Sequence, residues 1–74
     1  MQKVHVDALV RVKEDVRTLQ LRRGDKGVVL SIWLSPGEAL YEVEFGQPGR
    51  SPPLRTLLRT EQLEVIKSHI GGAS

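Results

Sequence analysis

Val28-Val29-Leu30-Ser31-Ile32-Trp33, followed by Leu34-Ser35-Pro36-Gly37-Glu38-Ala39 and then Leu40-Tyr41-Glu42-Val43-Glu44-Phe45, is the stretch that decides the fold. Its last six residues alternate, with Tyr41, Val43 and Phe45 on one side and Glu42 and Glu44 on the other. That is the period of a half-buried strand. Its first six are β-branched and nearly continuously apolar, as expected of a central strand. Between them Ser35-Pro36-Gly37-Glu38 has the composition of a tight turn, because proline presets one backbone angle and glycine accepts the reversed one. A hairpin from Val28 to Phe45 is therefore expected, with Tyr41 and Phe45 in the core.

Working outward toward the N-terminus, Gly24-Asp25-Lys26-Gly27 is read as a second tight turn, with Gly24 and Gly27 as its structural glycines. Before it, Val16 to Arg23 reads as a long loop pinned by Leu19 and Leu21. Ala8 to Lys13 reads as the first strand, with Ala8, Val10 and Val12 on one face and Glu14 and Asp15 at its end. Toward the C-terminus, the polar loop Gly46 to Pro53 leads into a fourth strand, Leu54 to Leu58, whose start at Pro52-Pro53 suits an edge. Thr60 to Leu63 reads as one helical turn capped by Thr60, and Leu63 to Ile66 as a short last strand. No window carries helical apolar spacing over more than two turns. The expected class is all-β: a small SH3-like, partly open five-stranded barrel with a helical turn before the last strand. It occupies residues 1–67, and 68–74 form a flexible C-terminal tail.

The 74 residues contain 10 Leu, 9 Val and 3 Ile but one each of Trp, Tyr and Phe, and no Cys. A chain this short supports one core, stabilised by packing without disulfides or thiolate metal sites. Nor does the pattern offer a P-loop, a nucleophile elbow or a metal-ligand cluster. His5 and His69 lie far apart in sequence, near opposite ends. The expectation is a non-catalytic protein without cofactors. Met1 to Val6 lacks a signal-peptide pattern, and no apolar run approaches the ~20 residues of a bilayer span. A cytoplasmic protein with no membrane partner is expected. Net charge is +2, and the acidic segment 31–49 lies between two basic ones. In an antiparallel sheet this order places opposite charges on neighbouring strands, with Arg55 expected to face Glu42 and Glu44.

Asp7-Ala8-Leu9-Val10-Arg11-Val12, Leu21-x-x-Gly24-Asp25-x-Gly27-Val28-Val29, Tyr41-Glu42-Val43-Glu44-Phe45 and Thr56-Leu57 with Glu61-Gln62-Leu63 together resemble a bacterial family of short SH3-like proteins of unassigned function, over roughly residues 5–66. The same frame is similar to electron-transport accessory proteins: photosystem I subunit IV, the variable chain of ferredoxin–thioredoxin reductase and the nitrogenase accessory protein Z. That resemblance implies a small barrel that docks on a larger redox protein and holds no cofactor. Arg22-Arg23-Gly24-Asp25-Lys26-Gly27-Val28-Val29 also resembles the KOW motif of ribosomal and transcription-associated proteins, which implies RNA or ribosome contact. Any SH3-like barrel, however, needs a glycine turn before its central strand.

The candidate interaction residues, for protein or RNA, are Arg17, Arg22, Arg23, Lys26, Trp33 and Arg50. Arg17, Arg22, Arg23 and Lys26, with Arg11 and Lys13, form one basic face if the first strand and the Gly24 turn lie close; Glu14, Asp15 and Asp25 dilute it. A solvated face is the simpler reading of such charges. Trp33, at a strand end, either contacts a partner or lies as a lid over one end of the barrel. With two aromatics expected in the core, the chain lacks the aromatic groove that Pro-rich peptides require. The function expected is a protein-interaction or accessory module of a bacterial complex. Its contacts run through Val16–Arg23, Trp33 and the Pro-rich loop, and its partner is a larger protein. The alternative is a KOW-like RNA- or ribosome-associated domain.

Overall fold

The computed structural model describes residues 4–46, 49 and 51–67. Within them lie β1 (Leu9–Val12), β2 (Lys26–Ser35), β3 (Glu38–Phe45), β4 (Leu54–Arg59) and β5 (Leu63–Lys67), with single 3-10 turns at Arg17–Leu19 and Thr60–Gln62. The strands form one antiparallel sheet in the order β4-β3-β2-β1-β5. β2 is its centre, and β4 and β5 are its two edges, so the sheet is not closed. No helix among the described residues is long and apolar enough to cross a membrane.

The hairpin forms as its composition dictates. Ser35 pairs with Glu38 around Pro36-Gly37, and Gly37 takes a φ of +77° that L-residues avoid. Alternation then sorts the β3 side chains: Tyr41, Val43 and Phe45 are buried, and Phe45 is wholly so. They meet Val10 and Val12 of β1, Val29 of β2, Leu58 of β4 and Leu63 of β5, with Val4, Ala8 and Leu21 completing the core. Burying a side chain the size of Phe45 stabilises by about 1.5–3 kcal/mol, which is substantial for so small a core.

β2 is ten residues long and changes register against β3 between Val29 and Ser31. Before the shift Val29 pairs with Val43 on the core face; after it Ile32 pairs with Tyr41 on the core face, and Ser31 and Trp33 turn outward. The extra residue, Leu30, is a β-bulge, and it reverses which parity of β2 faces inward.

Two local expectations are corrected, and one is refined. Gly27 is no turn residue: it lies within β2 opposite Val10, and a Cβ there would stand 2.7 Å from Val43 Cγ1, 2.8 Å from the Glu44 carbonyl oxygen and 2.8 Å from Phe45 Cδ1. The turn runs over Arg22–Asp25, closed by the Asp25 N–H donating to the Arg22 carbonyl at 2.9 Å, and Gly24 supplies its positive φ of +95°. The segment Val16–Arg23 is a loop pinned as expected, with Leu21 buried and Leu19 packed against the core. It contains the 3-10 turn Arg17–Leu19, and Val16 bridges to Leu21. Before β5, Thr60 does not cap the turn but is its first residue. Gln62 Oε1 instead accepts the Arg59 N–H at 2.8 Å.

Candidate functional site

The face of the sheet away from the core carries the residues that strand alternation leaves outside. At the hairpin end, Trp33 pairs with Leu40 and Leu40 with Arg59; in the next row Ser31 pairs with Glu42 and Glu42 with Leu57. Trp33 is 59% exposed and Leu57 is 47% exposed. Leu40 is half-buried between them, diagonal to Leu57 at the spacing where side chains on one sheet face still touch.

The indole is held by a relay. Trp33 Nε1–H donates to Ser31 Oγ at 3.1 Å, and the Ser31 hydroxyl donates to Glu42 Oε1 at 2.7 Å. Both bonds lie on the outer face, and they tether the edge of a ring that is more than half exposed. The lid reading of Trp33 is thereby corrected: the bulge at Leu30 turns the side chain away from the core it was to cover. Charges border this surface as pairs. Arg55 Nε meets Glu44 Oε2 at 3.3 Å and Arg59 Nε meets Glu61 Oε2 at 3.2 Å. Arg55 thus faces Glu44 as its strand position requires, while Glu42 takes Ser31 instead.

At the far end of β1 lies a basic cleft of about 520 Å³, lined by Arg11, Val12, Lys13, Arg23, Gly24 and Glu64. Backbone bonds fix its walls. The Gly24 N–H donates to the Val12 carbonyl at 2.8 Å, the Val12 N–H to the Asp25 carbonyl at 2.9 Å and the Lys13 N–H to the Gln62 carbonyl at 2.9 Å. Two carboxylates hold the turn from outside the cleft: Asp25 Oδ2 accepts the Arg22 N–H at 2.9 Å, and Asp15 Oδ1 accepts the Arg23 N–H at 2.8 Å. The acidic residues within the basic stretch therefore brace the turn as well as diluting its charge.

Inside the cleft Arg11 Nε donates to Glu64 Oε1 at 2.7 Å. That hydrogen bond first, and the guanidinium charge second, hold the Glu64 carboxyl below the usual carboxylate range; Lys13 and Arg23 add smaller pulls in the same direction. The same contact raises Arg11 above its already high value.

The predicted basic face is thus divided. Arg23 joins Arg11 and Lys13 in the cleft; Arg17 and Arg22 line a separate hollow of about 410 Å³ with Asp15, Gln20 and Leu21. Lys26 stands exposed opposite Arg11 on the outer sheet face. Trp33 belongs to neither group, and Arg50 and His69 lie outside the described residues. Among the described residues, no three His, Asp or Glu side chains are placed to hold a metal ion. No family model, curated protein or solved structure matches this chain. Sequence reasoning missed Glu64, Leu40 and Leu57. Leu40 was legible in principle, since alternation puts it on the side of Glu42 and Glu44; Glu64 needed the β1–β5 pairing, which no local pattern announces.

Proposed function

We propose that this chain is a non-catalytic protein-docking module, an SH3-like, partly open barrel acting as an accessory subunit of a larger bacterial assembly. One observation carries the reading: a tryptophan and two leucines share the solvent face of β2, β3 and β4, with the indole anchored by its N–H so that apolar surface is presented outward. An aromatic held rigid beside aliphatic side chains and rimmed by paired charges is the composition of an interface centre. The resemblance to electron-transport accessory proteins suggests a redox protein as the partner class, with the module supplying contact surface only. The cytoplasm is the compartment this role implies.

The test is affinity capture from native cell extract with the unaltered chain and with a Trp33→Ala, Leu57→Ser double variant, each with and without nuclease. A protein retained by the first, lost to the second and indifferent to nuclease supports docking through the outer face. Equal retention by both, or retention abolished by nuclease, refutes it. The RNA-binding alternative draws on a different observation: Arg22, Arg23 and Lys26 have no ion pair among the described residues. It requires steeply salt-dependent RNA retention that disappears when those three are replaced by Glu.

A further inference from the structure

We infer that the cleft between β1, the Arg22–Asp25 turn and the start of β5 is a receptor for carboxylates of an acidic polypeptide segment, with Arg11, Lys13 and Arg23 as its cationic contacts. This rests on the reading of the chain as a protein-docking module and names a second contact outside its apolar face. Three observations support it. First, three cations line one cleft against a single carboxylate, Glu64, and neither Lys13 nor Arg23 has an ion pair among the described residues. The lining thus carries three positive charges against one negative, and two of the cations are without a close ion pair among the described residues. Second, the cleft already holds a carboxylate: Glu64 meets the Arg11 Nε at 2.7 Å, the short charge-assisted contact that an incoming Asp or Glu would make with the neighbouring cations. Third, the walls are pre-set by backbone bonds through Val12, Lys13 and Gly24, so the main chain needs little ordering on binding and the cost is confined to the cationic side chains.

The lining also selects among anions. It contains no aromatic residue, and its one large apolar member, Val12, is only 1% exposed. A nucleic acid strand would find cations for its phosphates but no platform on which to stack a base. A carboxylate side chain needs only the cations. Glu64 then acts as an internal competitor, sharing Arg11 with the ligand.

The experiment is an amide-resolved NMR titration of the intact chain with a hexaglutamate peptide, with a single-stranded RNA hexamer and inorganic phosphate as comparison arms. The peptide is expected to move the signals of Arg11, Lys13, Arg23, Gly24 and Glu64. Lys13→Glu with Arg23→Glu should weaken it about tenfold or more, since charge is reversed at the contact. Glu64→Gln should tighten it roughly two- to threefold, the scale of one screened, exposed competitor. All of these side chains are solvent-accessible, and an unchanged amide fingerprint elsewhere confirms that each variant is folded. Peptide shifts located elsewhere or absent, charge reversal without effect, or tighter binding of the RNA in the same cleft would overturn the inference. Trp33→Ala should leave the peptide affinity unchanged. If capture of a partner survives loss of Trp33 and Leu57 while the peptide titration behaves as described, the apolar-face reading alone has failed.

Discussion

Replacing Gly27 with alanine tests the packing logic of the fold most sharply. The added Cβ would sit 2.7–2.8 Å from Val43 Cγ1, the Glu44 carbonyl oxygen and Phe45 Cδ1, closer than folded proteins tolerate. Two of those atoms belong to wholly buried side chains, and the third is backbone in a paired strand, so none can swing aside freely. Overpacking of this kind costs about 1–3 kcal/mol. Alanine recovers about 0.4–1 kcal/mol by restricting the unfolded chain. The middle of each range leaves a net loss of about 1.3 kcal/mol, which in a domain of this size lowers the melting temperature by about 5–10 °C. Urea unfolding followed by circular dichroism should show the midpoint falling by roughly 1–2 M at an unchanged slope of about 1 kcal/mol/M. Gly24→Ala is the matched control. Nothing lies within 4 Å of its Cβ position, but its φ is +95°, so its cost is backbone strain of about 1–2 kcal/mol, with no disturbance of the Val43 and Phe45 signals. If Gly27→Ala were as stable as the parent, or if its perturbation stayed within residues 22–27, the close approach of β2 to β3 would be wrong and the turn role would return.

Glu64→Gln should lower the urea midpoint slightly near neutral pH. Because the folded carboxyl titrates below its ordinary range, its stabilisation is complete above the unfolded value and disappears as pH falls through the folded one. The gap between variant and parent should accordingly close in acid, and a gap that widened there would contradict the pairing. Trp33→Ala should change stability by no more than about 0.5 kcal/mol, as for other exposed sites. A much larger loss in thermal unfolding would mean that the indole is structural. Asp15→Ala should speed hydrogen exchange at the Arg23 amide, and Asp25→Ala at the Arg22 amide, each without collapse of the other. Unaltered exchange would show that these carboxylates do not brace the turn.

The local pattern settled the elements. Strict alternation from Tyr41 to Phe45 and the Pro36-Gly37 turn can satisfy backbone and burial together in only one way, as a hairpin with those aromatics inside. Arg55 opposite Glu44 followed from the order of charges along the chain, because adjacent antiparallel strands bring those positions together. Burial of Leu21, an anchor in an otherwise polar stretch, was also legible, as was the exposed position of Arg22 and Arg23.

What the tertiary structure alone decided were matters of parity and of distance. A nearly continuous apolar run such as Val28 to Trp33, interrupted at Ser31 alone, has no strict alternation to read, so the bulge at Leu30, and with it the outward turn of Trp33, is decided only by the register of β2 against β3. Gly27 looks like a turn glycine because a glycine's neighbours in sequence say nothing of what approaches it from another strand; Val43 and Phe45 give it its reason. The cleft formed by Arg11, Lys13, Arg23 and Glu64 likewise joins the first strand to the last, and pairing across that separation is fixed by burial of Val10 and Val12 against Val65 and Leu63 rather than by any local signal.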